Sequence, residues 1–286
     1  MKIEIIPNQR EKIAELNALV SEAFGYQVPH TFLDDFPVWA SHLSSVMRLG
    51  IYERSDLIAH VGIRYAEMQT DAGLTPVALI GAVATDPHFR KQGLSTELMT
   101  EALKLIDEKK SAWTFLWGSE HDFYAKFGFR LQGKQARAPI AQFSIQNGLR
   151  ISPTIHIGLT ETIFQTLLKE KAGIRLTEAD RGWIFEHKTI QWLSIASPFA
   201  FVAYEKGMDL KHMVHEMGGD ERGIKSLLYQ IHAHDPNSEV MARPAQLKKL
   251  GFEDQAILEE HLCLARPQQA GAAWNESFWV AGISAC

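Results

Sequence analysis

The stretch from Val77 to Met99 combines an apolar strand, a short basic turn and an amphipathic helix, with no linker between them. Gly93 has no Cβ, so the chain can turn sharply there and bring its amides close to a ligand. The first four amides of a helix lack intrahelical acceptors, and the helix dipole adds positive potential at that end. Arg90 and Lys91 place two further positive charges beside the turn. The segment therefore predicts a site for a phosphate or pyrophosphate at a strand–helix junction.

Two common phosphate-binding loops do not fit this turn. The sequence contains neither G-x-x-x-x-G-K-[ST] nor G-x-G-x-x-G. Arg90, Gly93 and Ser95 instead fall on the defined positions of the pattern [R/Q]-x-x-G-x-[G/A], with Ser95 in place of the usual glycine or alanine. In this respect the segment resembles the acyl-CoA pyrophosphate loop of the GNAT superfamily of N-acyltransferases. The resemblance implies that the strand and the turn contact the cofactor through Ala82, Val83, Ala84, Arg90, Lys91, Gln92, Gly93, Leu94, Ser95 and Thr96.

A second motif follows after one helix and one apolar strand. Phe123, Tyr124, Gly128 and Phe129 match the F-Y-x-x-x-G-F element that GNAT proteins commonly carry after the fifth strand. The resemblance covers roughly residues 1–145. It implies an α/β fold with a mixed sheet, helices on both faces and the element order β-α-α-β-β-β-α-β-α-β.

The resemblance also implies a catalytic role for Tyr124, as the acid that protonates the departing thiolate. A phenol with a pKa near 10 is protonated at neutral pH and can donate to a thiolate whose conjugate acid has a pKa of about 8.5. The base that takes the proton from the amine stays open. Glu120 and His121 both lie close to Tyr124 in sequence, and the other candidates are Glu67, the Asp34–Asp35 pair and a water relay.

The segment between the first helix and the second strand is aromatic and acidic. In GNAT proteins this region usually lines the pocket for the acceptor. Asp34, Asp35, Phe36 and Trp39 would form a negatively charged aromatic wall suited to a cation. We therefore expect Asp34, Asp35 and Trp39 to contact the acceptor amine.

The second half of the chain repeats landmarks of the first half in the same order. It carries no R-x-x-G-x-[G/A] loop, and we expect no strand long enough to lead into one. We predict a catalytic domain over residues 1–145 and a degenerate GNAT-like domain over residues 155–286, separated by the turn-prone stretch 145–153. The paired landmarks are residues 52–54 with 204–206, residues 93–95 with 223–225, and residues 125–129 with 248–252.

Composition excludes several classes of function. A formal net charge of −5 argues against nucleic acid as the main partner. No apolar run approaches the ~18 residues of a membrane-spanning helix, and the first residues lack a secretory apolar region. Cys263 and Cys286 form neither a disulfide framework nor a cysteine metal site, and the H-x-x-H string at His212 and His215 does not match a known metal motif. We expect a cytoplasmic protein without a metal; a homodimer is compatible with the sequence.

The function predicted from these patterns is transfer of an acetyl group from acetyl-CoA to a primary amine of a small molecule or peptide. Direct attack in a ternary complex is favoured because no nucleophilic cysteine lies near the motifs. The alternative is a non-catalytic acyl-CoA-binding or sensing protein. Retention of Tyr124 favours the enzyme, since binding alone needs no phenol at that position.

Overall fold

The computed structural model describes residues 2–142, 154–169, 172–269, 272–275 and 278–285. The predicted boundary at 145–153 lies outside these residues. The helices are α1 (Arg10–Phe24), α2 (Phe32–Asp35), α3 (Leu94–Glu108), α4 (His121–Ala125), α5 (Glu161–Leu167), α6 (Arg181–Phe185), α7 (Glu221–His234) and α8 (Pro244–Leu250). The strands are β1 (Ile3–Ile5), β2 (Val46–Glu53), β3 (Asp56–Thr70), β4 (Gly73–Thr85), β5 (Trp113–Leu116), β6 (Arg130–Gln132), β7 (Gln135–Pro139), β8 (His156–Ile157), β9 (Gly173–Ile174), β10 (Gln191–Ala196), β11 (Phe199–Tyr204), β12 (Met213–Gly219), β13 (Glu239–Ala242), β14 (Leu258–Glu260) and β15 (Cys263–Pro267).

The first sheet has the order β1-β2-β3-β4-β5-β15-β6 among the described residues, with β9 added beside β3. Its strands pair antiparallel except for β4 and β5, which run parallel. Helix α1 packs on β3 and β4, and α3 packs on β2, β3 and β4. The apolar stripe predicted for α3 is its buried face, comprising Leu94, Leu98, Met99, Ala102, Leu103 and Ile106. The mixed sheet between helices confirms the predicted fold class.

The second sheet has the order β14-β7-β13-β12-β11-β10-β8 among the described residues. It repeats the central pattern of the first sheet, because β12 and β13 run parallel and α7 connects them. Strand β12 has seven residues and is followed by α7 after Asp220 alone. The expectation that no adequate strand precedes this helix is therefore wrong. The residues of β12, Met-Val-His-Glu-Met-Gly-Gly, do not alternate between apolar and polar, so the sequence lacks the period-two pattern that marks a strand.

Each half contributes a strand to the sheet of the other half. Strand β7 precedes residue 145 but pairs with β13 and β14 in the second sheet. Strand β15 comes from the second half but lies between β5 and β6 in the first sheet. The division at residues 145 and 155 therefore does not follow the division of the sheets, and two compact domains with these bounds stay a prediction.

A continuous core joins the two halves. Trp39 and Phe32 from the first half belong to the same apolar cluster as Phe164 and Phe201 from the second. Beside this cluster, a buried Arg64 side chain on β3 lies 3.2 Å from Asp180 just before α6. The two halves thus share apolar contacts and a buried ion pair. None of the described helices is long and apolar enough to cross a membrane.

Candidate active site

A cavity opens where β4 and β5 separate. The two strands pair only at Val77–Leu79 and Trp113–Phe115, after which β4 continues to Thr85 while β5 ends at Leu116. The gap between them forms part of a cavity of about 810 Å³. Residues 81–85 of β4 form one wall, and residues 116–120 form the other. The parallel strands therefore expose a strand edge to a ligand, as strand addition requires.

A β-bulge shapes the wall formed by β4. The register between β3 and β4 shifts at His60 and Gly62, and Ala82 opposite them has φ +52°. The His60 ring is fully buried, and burial lowers its pKa to about 4, so the ring is neutral. Its Nδ1 lies 2.7 Å from the Ala82 carbonyl oxygen, which accepts a hydrogen bond from the ring. Because a bulge bends its strand, His60 fixes the shape of β4 beside the cavity.

The turn before α3 has the geometry that the sequence predicts for an anion site. Gly93 is the N-cap of α3 with φ +85°, a conformation that favours glycine. The first amides of α3 lack intrahelical acceptors and point out of the helix end. Arg90 and Ser95 line the cavity, and the Leu94 side chain is buried. The remaining residues of the turn are exposed: Lys91, Gln92, Gly93 and Thr96.

Two hydrogen bonds attach this turn to the end of β4. The Ser95 and Thr85 hydroxyl oxygens lie 2.7 Å apart, and Arg90 Nε donates to the Thr85 carbonyl oxygen at 3.4 Å. Thr85 therefore holds the helix N-terminus against the open strand edge. The sequence did not single out Thr85 or His60, because neither belongs to a motif and both act through partners distant in sequence.

Tyr124 and Glu120 line the same cavity. Tyr124 lies on α4 and is 7% exposed; its ring packs so closely on Gly118 that a Cβ there would lie 2.9 Å from Cε2. Burial, together with the nearby charge of Glu120, raises the pKa of Tyr124 to about 12. The hydroxyl is therefore protonated at neutral pH. Glu120 is the exposed N-cap residue of α4 at the cavity surface.

The far end of the cavity is built by both halves. Ala23, Phe24 and Tyr26 come from the end of α1 and the residues after it, and Phe32 and Phe36 come from α2 and its C-cap. Met208 and Asp209 reach this end from the loop between β11 and β12 of the second half. The first half alone would leave the cavity incomplete.

The three residues predicted to contact the acceptor occupy different positions. Asp34 caps α2 through the Thr31 amide and hydroxyl, pairs with Lys188 at 2.7 Å and does not line the cavity. Trp39 is fully buried against Gly62. Asp35 is 1% exposed and lies behind the cavity wall, where it accepts a hydrogen bond from the Tyr26 hydroxyl at 2.6 Å. These contacts show that Asp34 caps α2 and that Trp39 packs in the core.

The other base candidates lie away from the cavity lining. Glu67 is half-exposed near the far end of β3 and pairs with Arg175 at 3.3 Å. His121 is exposed at the start of α4. Asp209, which lines the cavity, was not among the candidates. Its position depends on the pairing of two segments far apart in the chain, so no local signal marks it.

The start of α7, which corresponds to the start of α3 in the first half, is not open to an anion. At the start of α7 the Asp220 carboxylate accepts hydrogen bonds from the amides of Arg222 and Gly223 at 3.0 and 3.2 Å. A carboxylate of the chain thus takes the amides that would otherwise be open to a phosphate. His212 contacts Asp235, and His215 contacts the Glu205 carbonyl. Within the described ranges no three His, Cys, Asp or Glu side chains are grouped as metal ligands would be.

Comparison with known proteins agrees with this geometry. Residues 4–132 match the model of the acetyltransferase (GNAT) domain family. No curated protein matches the sequence at a significant level. A GCN5-related N-acetyltransferase from Anabaena variabilis is similar in fold, with a TM-score of 0.64, 16% identity and coverage of 94% of this chain and 73% of that one.

Two further solved structures have a similar fold. A conserved protein of unknown function from Enterococcus faecalis superposes with a TM-score of 0.64 and 17% identity, over 93% of this chain and 73% of that one. Eis1 from Mycobacterium abscessus superposes with a TM-score of 0.61 and 13% identity, over 94% of this chain and 74% of that one. Each match extends across both halves, so the likeness in fold is not confined to residues 4–132.

Proposed function

Residues 4–132 are a GNAT acetyltransferase domain, and on this basis we propose that the chain transfers an acetyl group from acetyl-CoA to a primary amine of a small molecule or peptide. The observation that carries the proposal is the position of Tyr124. Its protonated hydroxyl shares one cavity with an open strand edge and with the N-terminus of α3. A cofactor-binding turn and a proton donor thus face the same space.

The residues of the turn suit the pyrophosphate of the donor. The free amides at the start of α3, the Ser95 hydroxyl and the Arg90 guanidinium can bind its oxygens. The exposed edge of β4 at Val83 and Ala84 suits the amides of the pantetheine arm, whereas the Ala82 carbonyl already accepts from His60. In this arrangement the thioester would lie near the end of β5, close to Tyr124.

The chemistry follows from the protonation states of the cavity residues. The amine must be uncharged when its nitrogen attacks the carbonyl carbon, and Glu120 is the proposed acceptor of its proton, directly or through water. The carbon–sulfur bond then breaks, and Tyr124 gives its proton to the thiolate. A phenol with a raised pKa stays protonated throughout the neutral range, so it is ready for this step.

The alternative is a protein that binds acyl-CoA without turnover. One titration and one assay separate the two. We expect acetyl-CoA to bind the wild type by calorimetry and to lose most of its affinity in Ser95→Glu, because the new carboxylate would face the pyrophosphate. An acidic residue in the first turn favours the helix itself, so this variant should fold. Ser95→Ala is the matched comparison: it removes the hydroxyl without adding a charge, so we expect it to weaken binding by about tenfold or less, far less than Ser95→Glu.

A thiol-release assay against a panel of amines completes the test. Release of CoA that depends on an amine supports the enzyme. Tight binding of acetyl-CoA without turnover on any amine supports the sensing protein. If acetyl-CoA does not bind the wild type, the proposed function is wrong.

A further inference from the structure

The far end of the cavity carries two surfaces of different chemistry. One is an apolar rim, because Phe24 and Met208 line the cavity and are 44% and 54% exposed. Apolar side chains that line a cavity offer a surface that the apolar part of a ligand can cover. The other surface is the carboxylate of Asp209, which lines the same end. Neither the family match nor the motifs in the sequence assign a role to these three residues.

Asp209 is held in place from the first half of the chain. The Asp35 carboxylate accepts hydrogen bonds from the Tyr26 hydroxyl at 2.6 Å and from the Met208 amide at 3.2 Å. Gly207 has φ +56°, and a Cβ there would lie 1.8 Å from Asp35 Oδ2. The backbone of this loop therefore lies directly against the carboxylate, and Met208 and Asp209 are carried into the cavity.

The charges around Asp209 favour a cation. Desolvation and the charge of Asp35 raise the pKa of Asp209, and the Lys206 ammonium opposes this. Lys206 is buried, donates to the carbonyl oxygens of Gly282 and Ala285 at 2.8 Å each, and lies 4.3 Å from the centre of the Phe36 ring. The hydroxyl of Tyr26 stays protonated, because burial raises its pKa far above its ordinary value. Asp209 therefore lies near a second carboxylate as well as an ammonium group, and a bound cation would relieve the repulsion between the two carboxylates.

We propose that the acceptor is a primary monoamine with an apolar body, that Asp209 binds its ammonium group in the encounter complex, before the nitrogen loses its proton and reaches the thioester, and that Phe24 and Met208 cover the alkyl or aryl part. This inference rests on the proposed function. The carboxylate that lines this end of the cavity suits one ammonium group, whereas a polyamine would bring further positive charges against an apolar rim. Asp35 is a positioning residue in this account, since it acts through Met208 on Asp209.

The test compares amines in steady-state kinetics with acetyl-CoA as donor. We expect phenethylamine and hexylamine to give a kcat/KM at least about tenfold above that of spermidine. Asp209→Asn should raise the KM for phenethylamine about 10- to 100-fold, because a charge-assisted contact is lost, and should leave acetyl-CoA affinity unchanged. Asp56→Asn, at the exposed first residue of β3 and outside the cavity lining, is the matched control and should behave as wild type.

A second pair of variants tests the apolar surface. Met208→Ser should lower the preference for hexylamine over spermidine, whereas the exposed Leu74→Ser, outside the cavity, should not. A preference for spermidine, or an unchanged KM in Asp209→Asn, would overturn the inference while leaving the proposed function intact. Absence of turnover on every amine, with acetyl-CoA bound, would instead contradict the proposed function.

Discussion

The Oδ2 atom of Asp35 lies 3.2 Å from the amide nitrogen of Met208, although 173 positions separate the two residues in the chain. This contact joins the end of α2 to the β11–β12 loop and thereby places residues of the second half in a cavity of the first. The second half contains no open anion site at α7, because Asp220 occupies those amides. The second half completes the cavity wall with Met208 and Asp209 and, in our proposal, binds the acceptor there.

The variant Gly207→Ala measures how closely the β11–β12 loop lies against Asp35. In Gly207→Ala the new Cβ would meet the carboxylate and would need a backbone conformation that alanine disfavours. We expect a loss of unfolding free energy of about 2 kcal/mol or more and a higher KM for the amine. Chemical denaturation and amine kinetics measure the two effects. Gly182→Ala is the control, since that site lies within α6 with open space around it. Equal stability of the two variants would contradict the close contact.

The pH dependence of amine binding tests the coupling between Asp35 and Asp209. Amine binding needs an ionised Asp209, so the KM rises as the pH falls through the pKa of that carboxyl. The charge of Asp35 raises this pKa, and removal of the charge in Asp35→Asn should lower it. We therefore expect the acidic rise in KM to move to lower pH in the variant. A role of Asp35 in folding alone would leave the position of that rise unchanged.

The variant Thr85→Val measures how strongly the turn before α3 is attached to β4. Thr85→Val removes the hydroxyl that lies 2.7 Å from Ser95 Oγ and keeps the side-chain shape. Loss of one hydrogen bond of about 0.5–1.5 kcal/mol predicts a weakening of acetyl-CoA binding of roughly two- to tenfold. Calorimetry measures this change in affinity. The control is Thr100→Val, at an exposed position further along α3. If both variants bind alike, the Thr85–Ser95 contact does not order the turn.

The ion pair between Arg64 and Asp180 predicts a strong effect on stability. Asp180 lies 3.2 Å from Arg64 and also accepts from Trp183 Nε1 at 2.9 Å. Asp180→Ala would leave a buried guanidinium without its partner, at a cost of about 3–5 kcal/mol. Glu67→Ala breaks the exposed pair with Arg175 and should cost less than about 1 kcal/mol. Urea denaturation compares the two; a similar loss in both would show that burial of the first pair is unimportant.

Local patterns in the sequence predicted several elements of the first half well. Helix α1 follows β1, as the predicted element order requires, and the amphipathic helix predicted after the Gly93 turn is α3, whose apolar face is buried. Both depend on apolar residues at helical spacing, which is a local signal. The turn at Gly93 and the position of Tyr124 on the cavity also follow from short motifs, whose function in catalysis remains a prediction.

Contacts between distant segments could not be predicted in this way. Strand β15 enters the first sheet between β5 and β6, and nothing in residues 263–267 identifies those partners. Asp209 reaches the cavity only because Gly207 and Met208 lie against Asp35. The sequence predicts that Asp34 and Asp35 contact the acceptor; in the structure Asp35 lies behind the cavity wall, and Asp34 faces Thr31 and Lys188.

The most direct test of the account is the reaction of wild type and Tyr124→Phe with acetyl-CoA and phenethylamine, followed by mass spectrometry of the amine. Loss of a general acid lowers rates by about 10²- to 10⁴-fold. We predict that the wild type forms the acetylated amine and an equal amount of free CoA. Tyr124→Phe should bind acetyl-CoA as tightly but react at least about 100-fold more slowly. Equal rates in the two proteins, or no acetylated product from a wild type that binds acetyl-CoA, would contradict the account.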